Sequence, residues 1–250
     1  MPRSSDEIAF VFPVLIVHDD DDFSVFDVFN RVLDPVEGPL RLIHVANVAG
    51  RMPRMAQICR MILPVVAYGD PVLRKEADDV LEGMEGLDTL IANMWETMYR
   101  AEGVGLAAPQ IGRSIRLFVV DGSPFGEGEE GDAGCKDFKR VMINPVIFDE
   151  SEESCDMEEG CLSIPGVREP VTRPVSVKVE YYDDQWVLRE EALTGIAARI
   201  VQHENDHLDG VMIPDYAPAL RKAMLQGKLK DIAKGKVPSD YPMRHPKNVR

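Results

Sequence analysis

The chain has 250 residues with a net charge of −15, 45% hydrophobic and 28% charged side chains, an ordinary balance for a soluble protein of one or two domains. No stretch approaches the ~20 apolar residues a membrane helix needs, and the early run Phe10 to Val17 contains Pro13 and leads into Asp19–Asp22 rather than a cleavage site. With no secretory or organellar presequence the reading is cytoplasmic, and Cys59, Cys135, Cys155 and Cys161 are too few and too irregular for a disulfide scaffold.

Residues 1–60 mix apolar clusters, an Asp run and the basic Arg51-Met-Pro-Arg without a period. Low order is expected for most of 1–55, since no apolar face recurs that would seat the segment on a core. The segment is either a genuine extension or a misassigned start, with Met52, Met55 or Met61 as the alternative beginning. From residue 61 the pattern becomes regular, which divides the chain into 1–60 and a single patterned domain over 61–250.

Leu63 to Tyr68 is apolar and Gly69-Asp70-Pro71 reads as a turn. Leu87, Leu90, Ile91, Met94 and Met98 follow the spacing of a helix with one buried face, with Gly103 expected as its C-terminal cap. Ile115 to Val120 reads as a buried strand, Gly122 to Asp137 as an exposed acidic loop, and Val141 to Phe148 and Val175 to Tyr182 as further strands. Thr194 to Asp209 is helical, with Thr194 as N-cap and Gly210 as the stop, and a last helix covers about Ala217 to Lys234. Strands with few helices and no βαβ alternation predict an α+β fold, with mixed or antiparallel strands packed around the His-bearing helix and a C-terminal helix beyond it. Residues 221–250 carry nine Lys/Arg against two Asp in an otherwise acidic chain. This basic tail is either a solvated helix face or a contact for a polyanion.

Three clusters carry chemistry. In His203-Glu204-Asn205-Asp206-His207 the two imidazoles project from one helix face toward a single metal ion, with Glu204 one residue along. A catalytic site usually has a third protein ligand. No glutamate follows Glu204 and position 213 is Ile213, so the ordinary metallopeptidase arrangements lose support. In Glu159-Gly160-Cys161-Leu162-Ser163-Ile164-Pro165-Gly166 a cysteine sits among turn-forming residues, where a thiolate can be presented. Taken alone, such a cysteine is more often a small buried apolar residue. In Gly103-Val104-Gly105-Leu106-Ala107-Ala108-Pro109-Gln110 small residues permit close backbone approach to a ligand, and Gln110 offers an amide donor. The spacing fits neither a dinucleotide fingerprint nor a phosphate loop.

Taken together, the three clusters closely resemble the motifs of the peptide deformylase family: a G-φ-G-φ-A-A-x-Q loop (φ apolar), an E-G-C-φ-S turn and an H-E-x-x-H helix, in that order. The resemblance runs from about Leu63 to Met243. It implies removal of the formyl group from the initiator methionine of nascent peptides. It further implies metal ligands Cys161, His203 and His207, and Glu204 as catalytic acid/base. Gln110 and the backbone N–H of Leu162 would face the oxyanion, and Val104, Gly105 and Ile200 would border the cleft and methionine pocket. The implied cofactor is one divalent ion, Fe(II) in the cell, with Zn, Ni or Co able to occupy the site. The implied partners are N-formylmethionyl nascent peptides; from its charge, the basic tail 221–250 is expected to contact the ribosome through Arg221, Lys222, Lys228, Lys230, Lys234 and Lys236, with neither a membrane nor a specific nucleic-acid sequence as partner.

Overall fold

The computed structural model describes residues 61–128 and 131–247; the expectation of low order over 1–55 lies outside these residues. Strand β1 (Val65–Val66) precedes helix α1 (Leu87–Arg100), and β2 (Gly105–Ala107), β3 (Leu117–Asp121), β4 (Lys139–Phe148), β5 (Ser154–Gly160), β6 (Arg168–Pro174), β7 (Ser176–Tyr182) and β8 (Leu188–Thr194) follow. Helices α2 (Gly195–Leu208) and α3 (Ala219–Ala233) and the short β9 (Met243–Arg244) are the last elements among the described residues. The strands form an antiparallel sheet of order β2-β3-β4-β7-β8, an antiparallel β5-β6 pair and a parallel β1-β9 pair.

Strand β3 explains the layering. All five of its residues are buried, and alternate side chains face opposite ways. Phe118 and Val120 pack with Val177, Val179 and Tyr181 against Ala197, Ala198 and Val201 of α2. Leu117 and Val119 pack instead against Ile91, Met94 and Met98 of α1. A strand sandwiched between two helices needs apolar residues throughout, which is why its sequence is a run rather than an alternation. A third apolar group joins β1 to the Ile164–Val167 turn and to Leu225, Leu229 and Ile232 of α3.

The α+β expectation holds, including the central His-bearing helix and the C-terminal helix. Strands β5, β6 and β8 were not expected. Most of β5 and β8 faces solvent or is only half-covered, and the buried positions of the alternating β6 are Glu169, Val171 and Arg173, so no apolar period marks them. Two caps differ from expectation. Glu102, not a glycine, takes the left-handed conformation after α1 (φ 54°), while the N–H of Gly103 closes the turn on the Met98 carbonyl at 2.9 Å. At the start of α2 the Thr194 side chain makes no capping bond. Asp132, from the acidic loop, accepts the Ile196 N–H at 2.9 Å instead. Gly210 ends α2 as expected, at φ 72°. The basic segment is no loose tail either: Leu225, Leu229, Ile232 and Ala233 are buried, and β9 returns beside β1 with Val65 opposite Met243.

Candidate active site

Two elements bring the site together. Helix α2 lies with its apolar face on the sheet, which directs His203, Glu204 and His207 toward the turn that follows β5. That turn carries Cys161. One donor atom from each of Cys161, His203 and His207 falls within 4.8 Å of the others, and Cys161 Sγ lies 3.3 Å from His207 Nε2. His207 is 1% exposed, and burial drives its imidazole well below its ordinary pKa, toward the neutral form that binds metals. One thiol and two imidazoles are a donor set suited to a divalent transition metal.

Gln110 reaches the cluster from the other side. Its carbonyl oxygen is held by the Ala107 N–H at 2.8 Å, which turns the amide NH2 outward to within 3.5 Å of Cys161 Sγ. Gln110 itself is buried, so its orientation is fixed by the backbone of β2 and does not depend on solvent.

Glu204 is 4% exposed, and its Oε2 has no hydrogen-bond partner in the protein. Burial pushes its carboxyl up to about 7, near where a side chain can both accept and return a proton. The carboxylate fits only because residue 105 is glycine: a Cβ there would stand 2.3 Å from Glu204 Oε1. A buried carboxylate oxygen that lacks a protein partner beside a Cys/His/His cluster is what a site built around a metal ion and its water requires.

Behind the donors lies a polar network that spacing did not disclose. Glu159 accepts from His203 Nδ1 at 2.9 Å, from Arg173 Nε at 2.7 Å and from Arg199 at 2.7 Å. Burial would raise its carboxyl, but the bonds to His203 and Arg173 outweigh burial and hold it at about 2. Arg173 also pairs with Asp206 at 2.9 Å, and Asp206 accepts the Tyr216 hydroxyl at 2.8 Å. The network fixes which ring nitrogen of His203 points at the cluster. Glu159 was visible in the sequence only as part of its motif. Arg173, Arg199 and Tyr216 carry no local signal, because strand pairing and helix packing bring them together from distant positions.

Above the cluster opens a cavity of about 610 Å³. It is lined by every sequence-predicted site residue except His207, which lies beneath it: Val104, Gly105, Gln110, Cys161, Leu162, Ile200, His203 and Glu204. Phe125, Met157, Ile196 and Tyr241 line it too; none of these was foreseen. Pairing of β2 with β3 is antiparallel, with Gly105 opposite Val120, and presents the Gly103–Gly105 backbone along one wall.

Fold and donor set together define a metal-dependent hydrolase built on one cysteine turn and one His-bearing helix. The family model described as Polypeptide deformylase matches residues 62–223. A peptide deformylase from Christiangramia forsetii is 47% identical over 190 residues, covering 74% of this chain and 97% of its own. The crystal structure of peptide deformylase from Thermotoga maritima superposes with TM-score 0.56 at 42% identity, covering 64% of this chain and 100% of that one. A Met-Ala-Ser-bound peptide deformylase of Acinetobacter baumannii matches at TM-score 0.56 and 36% identity, over 63% of this chain and 99% of that one. The chain belongs to the polypeptide deformylase family, whose activity is the metal-dependent removal of the N-formyl group from nascent peptides.

Proposed function

We propose that the deformylase reaction is carried by the residues gathered around the cavity floor, with Cys161, His203 and His207 holding one divalent ion. The resemblance to the family favours Fe(II) in the cell, and the donor set suits Zn, Ni or Co as well. The bound ion supplies Lewis acidity toward the formyl oxygen and the attacking water. Glu204 takes the proton from that water as its oxygen attacks the formyl carbon. Charge then builds on the former carbonyl oxygen, where the Gln110 amide and the Leu162 N–H donate to it. Glu204 finally delivers its proton to the departing amine, and formate and a free N-terminus leave. Val104 and Ile200 flank the methionine side chain, and Gly105 leaves room for both the peptide and Glu204. Residues 61–250 form the catalytic domain and the enzyme works in the cytoplasm. Among the described residues no helix is long and apolar enough to cross a membrane.

The observation that carries this reading is the buried, unpartnered Glu204 carboxylate oxygen next to the Cys/His/His cluster. The test is formate release from formyl-Met-Ala-Ser by protein purified without oxygen, beside Glu204→Ala. Release by the wild type and none by the variant, with both folded and metal-loaded, supports the assignment. No release by the wild type, with metal bound, overturns it. Activity that survives anaerobic handling but not air supports Fe(II); equal activity from both points to another ion.

A further inference from the structure

The polar groups of the cysteine turn are gripped from two directions. The Ser163 carbonyl accepts the Tyr68 N–H at 2.9 Å, just past β1. The Leu162 carbonyl accepts the hydroxyl of Tyr241 at 2.7 Å. Tyr241 comes from beyond α3, outside the span matched by the family model, which ends at residue 223. It is no stray contact. Its own backbone is set by Ser239, whose hydroxyl bonds the Tyr241 carbonyl at 3.1 Å. The next residues are tied to β1, with the Val65 N–H on the Pro242 carbonyl and the Ala67 N–H on the Arg244 carbonyl, both at 2.9 Å. Further along, His245 Nδ1 lies 3.0 Å from the Ile232 carbonyl. Pro238, Ser239, Asp240 and Tyr241 all line the catalytic cavity.

On its other flank, Leu162 rests against Gly103, where a Cβ would meet Leu162 Cδ1 at 2.9 Å. The residue is thus held by a glycine wall on one side and a phenol on the other. We propose that Tyr241 is a positioning residue for deformylation: by holding the carbonyl of the Leu162–Ser163 peptide, the segment after α3 limits rotation of the neighbouring Cys161–Leu162 peptide, whose N–H donates to the oxyanion. This rests on the reading of Leu162 given above. A donor that must meet charge only as it develops has to be aimed in advance, and a turn free to rotate would lose that aim without losing substrate.

The test compares wild type with Tyr241→Phe, which keeps the ring in the cavity wall and removes only the hydroxyl. Two quantities are read: steady-state kinetics on formyl-Met-Ala-Ser, and amide hydrogen exchange over residues 159–166. The expected result is a kcat about five-fold lower, the size of one net hydrogen bond, with KM unchanged and faster exchange in that segment. An effect on kcat alone marks an interaction made only in the transition state. Wild-type kcat and exchange in the variant overturn the proposal, as does lowered thermal stability with kcat intact. A fall in kcat without faster exchange also overturns it, because the hydroxyl would then act elsewhere than on the turn. If the wild type releases no formate, the deformylase reading fails on its own account, and the exchange difference alone decides whether Tyr241 holds the turn.

Discussion

Position 105 decides whether Glu204 can stand where it does. The carboxylate occupies the volume a side chain at 105 would need, with Cγ, Cδ and Oε1 all within 2.8 Å of a Cβ built there. Gly105→Ala should therefore displace Glu204 while leaving the metal donors in place. Formate release falls by at least ten-fold, while metal content measured by plasma emission stays at one ion per chain. Gln110 invites a complementary expectation. With its oxygen anchored on Ala107, removing its amide as Gln110→Ala costs about 3 kcal/mol of barrier, on the order of a hundred-fold in kcat. These residues were legible in the sequence, because each motif is contiguous and its chemistry local. Tyr241 and Arg173 were not: a lone tyrosine and a lone arginine acquire meaning only through partners at Leu162 and Glu159, which the fold brings close.

Among the elements, α2 depends on a neighbour for its first turn. Asp132 binds both the Ile196 N–H and the Gly134 N–H, each at 2.9 Å, so the acidic loop and the catalytic helix are joined at one carboxylate. The negative charge also lies at the positive end of the helix. Asp132→Ala should cost about 1 kcal/mol, lowering the thermal midpoint by roughly 2–4 °C for a chain of this size, measured by calorimetry on metal-loaded protein. The sequence suggested Thr194 for this place, since the residue before a helix is the usual donor of the cap; here Gly195, at φ 57°, turns the chain so that a loop residue fills the role. A similar limit hid β5 and β8. Edge and surface strands lack the apolar alternation by which β7 was recognised through Val177, Val179 and Tyr181.

At the scale of the molecule, charge and architecture pull apart. The chain is acidic overall, yet its basic residues concentrate after residue 220. Of the six basic residues expected to meet the ribosome, Arg221 is committed to Glu169 at 2.7 Å, Lys228 donates to the Gly166 carbonyl and Lys236 pairs with Asp231 at 3.4 Å, while Lys222, Lys230 and Lys234 are exposed along α3 and at its C-terminal cap. The ribosome contact proposed from the basic charge of this segment would act first through these last three. Replacing all three by Glu should abolish co-sedimentation with ribosomes at low salt and leave formate release from a free peptide unchanged. Co-sedimentation equal to wild type would leave α3 as a solvated surface. Deleting the helix would not answer the question, because its inner face closes the third apolar core.

The parallel pairing of β1 with β9 has a consequence in time as well as in space. Val65 and Val66 pair with Met243 and Arg244, 178 residues further along the chain. A ladder between such distant residues forms slowly and cannot begin until both have left the ribosome. The cysteine turn, supported from β1 on one side and from the approach to β9 on the other, is therefore completed only once Tyr241 to Arg244 have emerged. A member of a family that works on nascent chains thus cannot complete its own catalytic floor until the segment through Arg244 has itself been made.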